Sequence, residues 1–128
     1  MKTNGRRRGG SIINISSASG LYAKATLAAY NTSKASVTML TKSVALHTGQ
    51  YGILRNSVHP GTVLTPVVRS FIDQSPYPEG GLEDMRLEHP IGTVGEPVDV
   101  SNIVLYLASD ESKFATGGEY RIDGGLAL

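Results

Sequence analysis

Tyr30 and Lys34 form the pair of side chains with the clearest chemical potential in this sequence. Residues four apart lie on the same face of a helix. An ammonium beside a phenol favours the phenolate, and an opposite charge nearby lowers a pKa by roughly 1–3 units from tyrosine's ordinary value of about 10. Such a tyrosine exchanges a proton near neutral pH. The same spacing is usually found on solvated helix surfaces, so the pair alone does not identify a catalytic site.

Two further segments could face the same phenol. Ser17 follows a short apolar run, and Pro60-Gly61 follows a second one. Loops after parallel strands are where α/β sheets bind ligands. The Ser17 hydroxyl could hold a substrate oxygen while Tyr30 donates a proton to it. Gly61 would let the backbone approach a flat ligand, and Thr65 adds a hydroxyl. A turn of small polar residues is the favoured interpretation of the serine segment, and a strand-terminating turn also explains the Pro60-Gly61 segment.

The histidines and the basic N-terminus offer weaker candidates. His47, His59 and His89 are scattered without metal-ligand spacing, so we expect structural or surface roles and no metal site. Residues 6–8 are three arginines that could contact phosphates, but a solvated loop is the favoured interpretation.

Glycine and proline divide the chain into elements that would position these residues. The pattern predicts three strands, a long helix, one or two short helices and a later helix (strands 11–15, 53–58 and 119–122; helices 28–48, within 65–88, and 98–108). The apolar run 11–15 is typical of a buried parallel strand. Strands that alternate with helices favour a parallel α/β sheet with helices on its faces.

Apolar periodicity predicts which face of each long helix meets the sheet. The first helix would use one apolar stripe and end at Gly49, and the second would start with Pro97 in its first turn and bury another stripe (Ala29, Val37, Leu40 and Val44; Val100, Ile103, Val104 and Leu107).

Composition restricts the class of protein. The 128 residues are 40% hydrophobic and 18% charged, which predicts one folded domain rather than a disordered tail. Cysteine is absent, which excludes a disulfide scaffold, and no apolar run has membrane-spanning length. Residues 1–10 carry +4 and the rest −3, so we expect no nucleic-acid surface. The basic start lacks the apolar core of a secretory signal, and a soluble cytoplasmic protein is expected.

Taken together, several motifs resemble the short-chain dehydrogenase/reductase family. SIINISSASG resembles the family's fifth strand and serine loop, YNTSK its Tyr-x-x-x-Lys signature, and NSVHPGTVLTP its sixth strand and nicotinamide loop. The segment from GTVGEP to RIDGG resembles the last helix and strand. The likeness is greatest to bacterial members that act on secondary or alicyclic alcohols.

The resemblance implies a role for each matching residue. Tyr30 would be the general acid/base, Lys34 would lower its pKa and hold the nicotinamide ribose, and Ser17 would position the substrate oxygen. Four residues would hold the nicotinamide carboxamide (Pro60, Gly61, Val63 and Thr65). The implied reaction interconverts a secondary alcohol and a ketone with NAD or NADP. The implied partners are that small molecule and, in the full-length family form, further copies of the chain.

The resemblance also implies that part of the family domain is missing. The family's glycine-rich strand-turn-helix, which cradles the pyrophosphate, has no counterpart here. Asn14 lies in a strand and does not match the family's catalytic asparagine. We therefore expect the C-terminal part of a Rossmann-type doubly wound sheet, with residues 1–10 a basic loop and 11–128 the catalytic half. Such a chain is expected to be inactive by itself. The alternative is a non-catalytic remnant or an interaction module built from the family's subunit-interface elements.

Overall fold

The computed structural model describes residues 9–76 and 78–128, so the arginines at 6–8 lie outside the described part. The described residues form three strands, β1 (Gly10–Ile15), β2 (Ile53–Pro60) and β3 (Glu119–Ile122). The same residues also contain four α-helices: α1 (Ala28–Thr48), α2 (Pro66–Asp73), α3 (Pro78–Leu87) and α4 (Pro97–Ala108). The predicted order is confirmed. The predicted bounds are also correct for α1 and β3 and short by one or two residues for β1, β2 and α4.

The strands form one parallel sheet in the order β1-β2-β3. Ser11 Oγ donates to the Leu107 carbonyl of α4, and Asn14 Nδ2 donates to Thr41 Oγ1 of α1. Residues three apart in a strand point to opposite faces, so α1 and α4 cover opposite sides of the sheet. The predicted α/β architecture, with helices on both faces of a parallel sheet, is therefore confirmed.

The prediction that residues 11–15 form a buried strand is wrong, because none of the five is buried. Ile12 is 41% exposed and Ile15 is 47% exposed, whereas Val58 of β2 is fully buried. Among the described residues β2 has a strand on each side, but β1 has one on a single side. The central strand is consequently the one that these elements shield most completely.

Helix α1 packs on the sheet through small side chains, which corrects the predicted apolar stripe. Its buried residues are Thr38, Thr41 and Ala45. The side chain of Leu40 is 54% exposed, and the other predicted positions are half-buried or exposed (Val37, Val44 and Ala29). The Thr41 hydroxyl donates to the Val37 carbonyl at 2.7 Å and also accepts from Asn14, so a polar residue is satisfied against the sheet.

Glycines follow the end of α1, and a proline and a capping box mark the start of α4. Gly49 is the C-terminal cap of α1, as predicted, and its N–H donates to the Ala45 carbonyl. It has φ −55 and continues into a 3₁₀ turn, and Gly52, with φ 72, is the left-handed residue that leads into β2. Pro97 occupies the first turn of α4 as predicted, where Asp99 accepts from the Glu96 N–H in a capping box.

The predicted apolar face of α4 is confirmed. Leu107 is fully buried, and the other three positions are half-buried (Val100, Ile103 and Val104). No helix in the described part of the chain is long and apolar enough to cross a membrane.

Candidate functional site

A cleft of about 620 Å³ opens where β1 and β2 end. All seven residues that the sequence predicted for the site line it (Ser17, Tyr30, Lys34, Pro60, Gly61, Val63 and Thr65). They come from the loop after β1, from α1, from the last residue of β2 and from the segment that joins β2 to α2. The fold thus brings the predicted catalytic and cofactor-binding residues to one place.

Tyr30 and Lys34 present their polar groups from the first two turns of α1. The Lys34 Nζ lies 5.7 Å from the centroid of the Tyr30 ring and donates to the Ile15 carbonyl at 3.3 Å. The ammonium therefore lies between the end of β1 and the phenol. Tyr30 is 45% exposed, so its ring borders the open side of the cleft.

Two buried hydroxyls hold the turn of α1 that carries Lys34. Ser16 Oγ donates to the Lys34 carbonyl at 2.9 Å, and Thr38 Oγ1 donates to the same carbonyl at 3.0 Å. The two hydroxyl oxygens are 3.1 Å apart. Gly20 packs against this group, because a Cβ there would lie 2.7 Å from Ser16 Oγ and 2.9 Å from the Lys34 carbonyl oxygen. Ser16 precedes Ser17, so the same contacts fix the start of the serine loop.

Ser17 is held by its backbone as well as by its side chain. Its Oγ accepts from the Ser19 N–H at 3.1 Å, which caps a short 3₁₀ turn, Ala18–Gly20. The hydroxyl keeps its own proton for another partner. The fully buried His59 contacts the Ser17 carbonyl through Nδ1 at 2.9 Å, and its Nε2 is 2.9 Å from Ser57 Oγ. His59 is therefore a structural residue, as predicted, and the sequence did not indicate its link to Ser17.

Gly61 is required by close packing at the end of β2. A Cβ there would lie 2.8 Å from His89 Nε2 and 2.9 Å from the Cα of Asp123. The Gly61 N–H donates to the Ile122 carbonyl at 3.0 Å, which extends the pairing with β3. The glycine thus lets β2, β3 and His89 meet behind the cleft.

The rest of the segment after β2 is anchored at both ends. Val63 pairs with Gly95 in a parallel bridge, in which the Gly95 N–H donates to the Thr62 carbonyl at 2.9 Å. Thr65 caps α2, because its Oγ1 accepts from the Val68 N–H at 3.3 Å. Val63 and Thr65 therefore keep fixed positions at the edge of the cleft.

Helices α2, α3 and α4 add an apolar wall opposite the catalytic candidates. The wall consists of four side chains (Val68, Met85, Pro97 and Val100). An exposed ion pair of 2.6 Å between Lys24 and Glu88 connects the loop before α1 to the residue after α3. The hydrogen bond to Glu88 raises the pKa of Lys24 above its ordinary value.

The histidines do not assemble a metal site in the described residues. No group of three or more His, Asp or Glu side chains there could hold an ion. His59 and His89 are buried, and His47 is exposed.

The sequence belongs to the family that its motifs resemble. Residues 2–127 match the family profile described as enoyl-(acyl carrier protein) reductase. With its Rossmann-like parallel sheet, the chain is a member of the short-chain dehydrogenase/reductase family, whose members named below are oxidoreductases.

Curated relatives to which this chain is similar are named as dehydrogenases. The chain is 47% identical over 121 residues to the NADP-dependent (R)-specific alcohol dehydrogenase of Lentilactobacillus kefiri. The matched region covers 91% of this chain and 45% of that relative. The chain is also 47% identical over 125 residues to a 3-alpha-(or 20-beta)-hydroxysteroid dehydrogenase of Mycobacterium bovis, covering 98% and 43%. Cyclohexanol dehydrogenase from an Acinetobacter species is 39% identical over 116 residues, covering 91% and 43%. The chain thus spans about half the length of the curated relatives it matches.

Solved structures of dehydrogenases also resemble this chain, and about half of each of those chains is covered. A short-chain dehydrogenase family protein from Francisella tularensis superposes with a TM-score of 0.89 at 34% identity, covering 94% of this chain and 52% of that one. The ligand-free aldohexose dehydrogenase of Thermoplasma acidophilum gives 0.86 at 38% identity, with 95% and 49% covered.

Proposed function

We propose that this chain carries the catalytic part of an NAD- or NADP-dependent oxidoreductase that interconverts a secondary alcohol and a ketone. The observation that supports the proposal is the convergence of Ser17, Tyr30 and Lys34 on one cleft with the segment from Pro60 to Thr65. These side chains supply a hydroxyl, a phenol and an ammonium, which are the groups needed to hold a carbonyl oxygen and to move its proton.

Tyr30 performs the proton transfer in this proposal. In the direction of reduction its phenol protonates the substrate oxygen, and in oxidation the phenolate removes the alcohol proton. Ser17 donates a hydrogen bond to that oxygen. Lys34 lies beside the phenol, with its Nζ 5.7 Å from the centroid of the Tyr30 ring. The chemistry that a nicotinamide would supply when bound here is hydride transfer to or from the substrate carbon.

The cleft fits the nicotinamide and ribose portion of such a cofactor. Lys34 offers donors to ribose hydroxyls, and the peptide groups of Val63 and the hydroxyl of Thr65 border the same space. The described residues contain no glycine-rich turn between a strand and a helix, which is the usual cradle of a pyrophosphate. The described residues would therefore bind the nicotinamide end of the dinucleotide.

The apolar wall favours an alcohol or ketone that carries apolar hydrocarbon groups beside its oxygen. Val68, Met85 and Val100 line the cleft from three helices. Buried hydrocarbon gains about 25 cal/mol per Å² of apolar surface removed from water. The names of the relatives agree with this chemistry, since they specify alcohols, cyclohexanol and hydroxysteroids.

The test is a Tyr30→Phe substitution in the protein expressed from its complete gene, assayed with secondary alcohols through the absorbance of the reduced nicotinamide. Loss of the phenolic proton is expected to lower kcat by about 10²–10⁴-fold. Tyr51→Phe is the matched control, because Tyr51 is 59% exposed and does not border the cleft. A Tyr30→Phe protein with activity within about threefold of the parent would disprove the proposed role. The same assay on the 128-residue chain by itself is expected to show little or no turnover, and clear turnover would contradict that expectation.

A second candidate function, self-association or partner binding, is favoured by exposed apolar side chains. On α1 the side chains of Met39, Leu40 and Leu46 are 61%, 54% and 88% exposed. On α4, Leu105 is 70% exposed and Tyr106 is 42% exposed. Surfaces of this kind are typical of protein interfaces. Size-exclusion chromatography with light scattering tests it, and a stable monomer would contradict this candidate.

A further inference from the structure

His89 lies behind the cleft and uses both ring nitrogens. The residue is only 3% exposed. Its Nδ1 is 2.7 Å from the Met85 carbonyl oxygen, and its Nε2 is 3.1 Å from the Thr62 backbone nitrogen. Met85 belongs to α3, and Thr62 belongs to the segment after β2. One buried ring therefore joins two walls of the cleft that are 23 residues apart in sequence.

The two partners determine the state of the ring. A carbonyl oxygen only accepts, so Nδ1 must carry a proton and donate to Met85. A backbone N–H only donates, so Nε2 must be unprotonated and accept from Thr62. The neutral Nδ1–H tautomer satisfies both contacts. The other neutral tautomer would place donor against donor at Thr62 and acceptor against acceptor at Met85.

The ring also sets how closely the two walls approach. The space where a Gly61 Cβ would be is filled by His89, whose Nε2 would lie 2.8 Å away. Thr62 stands between Gly61 and Val63, which border the cleft on the proposed nicotinamide side. Met85 borders the same cleft from the apolar wall. A shift of the ring would consequently move both surfaces.

We propose that His89 is a positioning residue that sets the spacing between the Pro60–Thr65 segment and α3 through its neutral Nδ1–H form. The inference rests on the proposed function, since the two surfaces are the ones assigned there to cofactor and substrate. His89 makes no contact with reacting groups in this proposal and acts through Thr62 and Met85.

The first test reads the tautomer without any turnover. The protein from its complete gene is labelled with ¹⁵N-histidine, and long-range ¹H–¹⁵N spectra are recorded near neutral pH. The His89→Asn spectrum identifies the His89 signals by their disappearance. A protonated Nδ1 with an unprotonated Nε2 is the expected result. An Nε2–H tautomer or an imidazolium would overturn the proposal, whatever the Tyr30→Phe experiment shows.

The second test distinguishes the contact of His89 Nδ1 with Met85 from the contact of its Nε2 with Thr62. Asn at position 89 places an amide N–H near the Nδ1 position and keeps the bond to Met85, whereas Gln places an amide oxygen near the Nε2 position and keeps the bond to Thr62. His89→Asn is therefore expected to raise the KM for the nicotinamide cofactor about tenfold. His89→Gln is expected to raise the KM for the alcohol about tenfold instead. His89→Leu removes both bonds and is expected to raise both.

His47→Gln is the control, because His47 is exposed near the far end of α1. It should leave both KM values unchanged. Equal KM values in the parent, His89→Asn and His89→Gln proteins would refute the positioning role. If His89→Leu does not fold, the KM values of His89→Asn and His89→Gln and the measured tautomer of His89 still test the positioning role. Failure of the proposed function would instead appear as an active Tyr30→Phe protein.

Discussion

Thr38→Val tests whether buried hydroxyls hold α1 against the end of β1. The substitution keeps the shape of the side chain and removes one hydroxyl, which contacts the Lys34 carbonyl at 3.0 Å and Ser16 Oγ at 3.1 Å. Ser16 Oγ also reaches the Lys34 carbonyl, at 2.9 Å. The three contacts share only two hydroxyl protons, one from Ser16 and one from Thr38. At any moment, therefore, two of the three contacts are hydrogen bonds.

The expected magnitude follows from what remains after each change. In Thr38→Val the Lys34 carbonyl keeps the Ser16 hydroxyl, so the loss is one bond without an orphaned partner, about 1 kcal/mol of unfolding free energy. Ser16→Ala should cost a similar amount, because Thr38 then remains. The double variant leaves the carbonyl without either side-chain donor. We therefore expect it to lose about 0.5–1 kcal/mol more than the sum of the single losses.

Urea unfolding followed by circular dichroism measures these differences. Thr32→Val is the matched control, since Thr32 Oγ1 also donates to a carbonyl four residues earlier, Ala28, at 2.9 Å, but on the exposed side of α1. It should change the unfolding free energy by less than about 0.5 kcal/mol. Equal losses in Thr38→Val and Thr32→Val, or strict additivity of Ser16→Ala and Thr38→Val, would refute the reasoning.

Two further predictions concern close packing and charge. Gly61→Ala is expected to lower the unfolding free energy by about 1–3 kcal/mol, because the Cβ would lie 2.9 Å from the Asp123 Cα, and backbone does not yield easily. Thermal unfolding checks it against Gly49→Ala, where nothing lies within 4 Å and the backbone is right-handed, so any loss there of similar size contradicts the packing argument. The Lys24–Glu88 pair raises the pKa of Lys24 above 10.5, so its contribution is present below pH 10.5 and is lost as the pH rises through the higher folded-state value. Because both side chains are partly solvated, Lys24→Met should remove only a few tenths of a kcal/mol of that alkaline decline in stability, and identical alkaline declines in the two proteins would argue against the pair.

Glycine and proline made most element boundaries readable from the sequence. Gly49 directly follows α1 and Gly118 directly precedes β3, because helices and strands end where the backbone must turn. The predicted end of α1 at Gly49 is correct, although Gly49 is right-handed and the left-handed glycine is Gly52, after the following 3₁₀ turn. Both glycines fit a helix end in sequence, and only the intervening 3₁₀ turn, stabilised by a hydrogen bond from Gly52 N–H to the Gly49 carbonyl, separates them.

The face of α1 was predicted less well, because hydropathy was taken to indicate contact with the sheet. Leu40 has the stronger apolar side chain, yet Thr41 is the one fully buried. Thr41 accepts from Asn14 on β1, and this pairing depends on a strand residue 27 positions away. A periodicity within one helix carries no information about such a partner.

The residues of the candidate site were likewise predicted only in part. Tyr30, Lys34 and the serine loop were identified because their spacing is local and because the whole set resembles a known family. The cleft that they share agrees with those identifications, and the roles themselves stay predictions. His89 gave no signal, since its partners Thr62 and Met85 are meaningful only once α3 has packed beside the segment after β2.

The walls of the cleft are held mainly by directional polar contacts. The described residues bury few apolar side chains (Ala18, Ala45, Leu54, Val58 and Leu107) and more polar ones (Ser16, Thr38, Thr41, Asn56, Ser57, His59, His89, Ser112 and Asp123). An apolar contact tolerates sliding, whereas a hydrogen bond weakens steeply when its angle changes. Ser16 fixes β1 to α1, His59 fixes β2 to the serine loop, and His89 fixes α3 to the segment after β2. Each of these three links joins two different walls, so the orientation of the catalytic candidates depends on hydrogen bonds that a hydropathy pattern does not register.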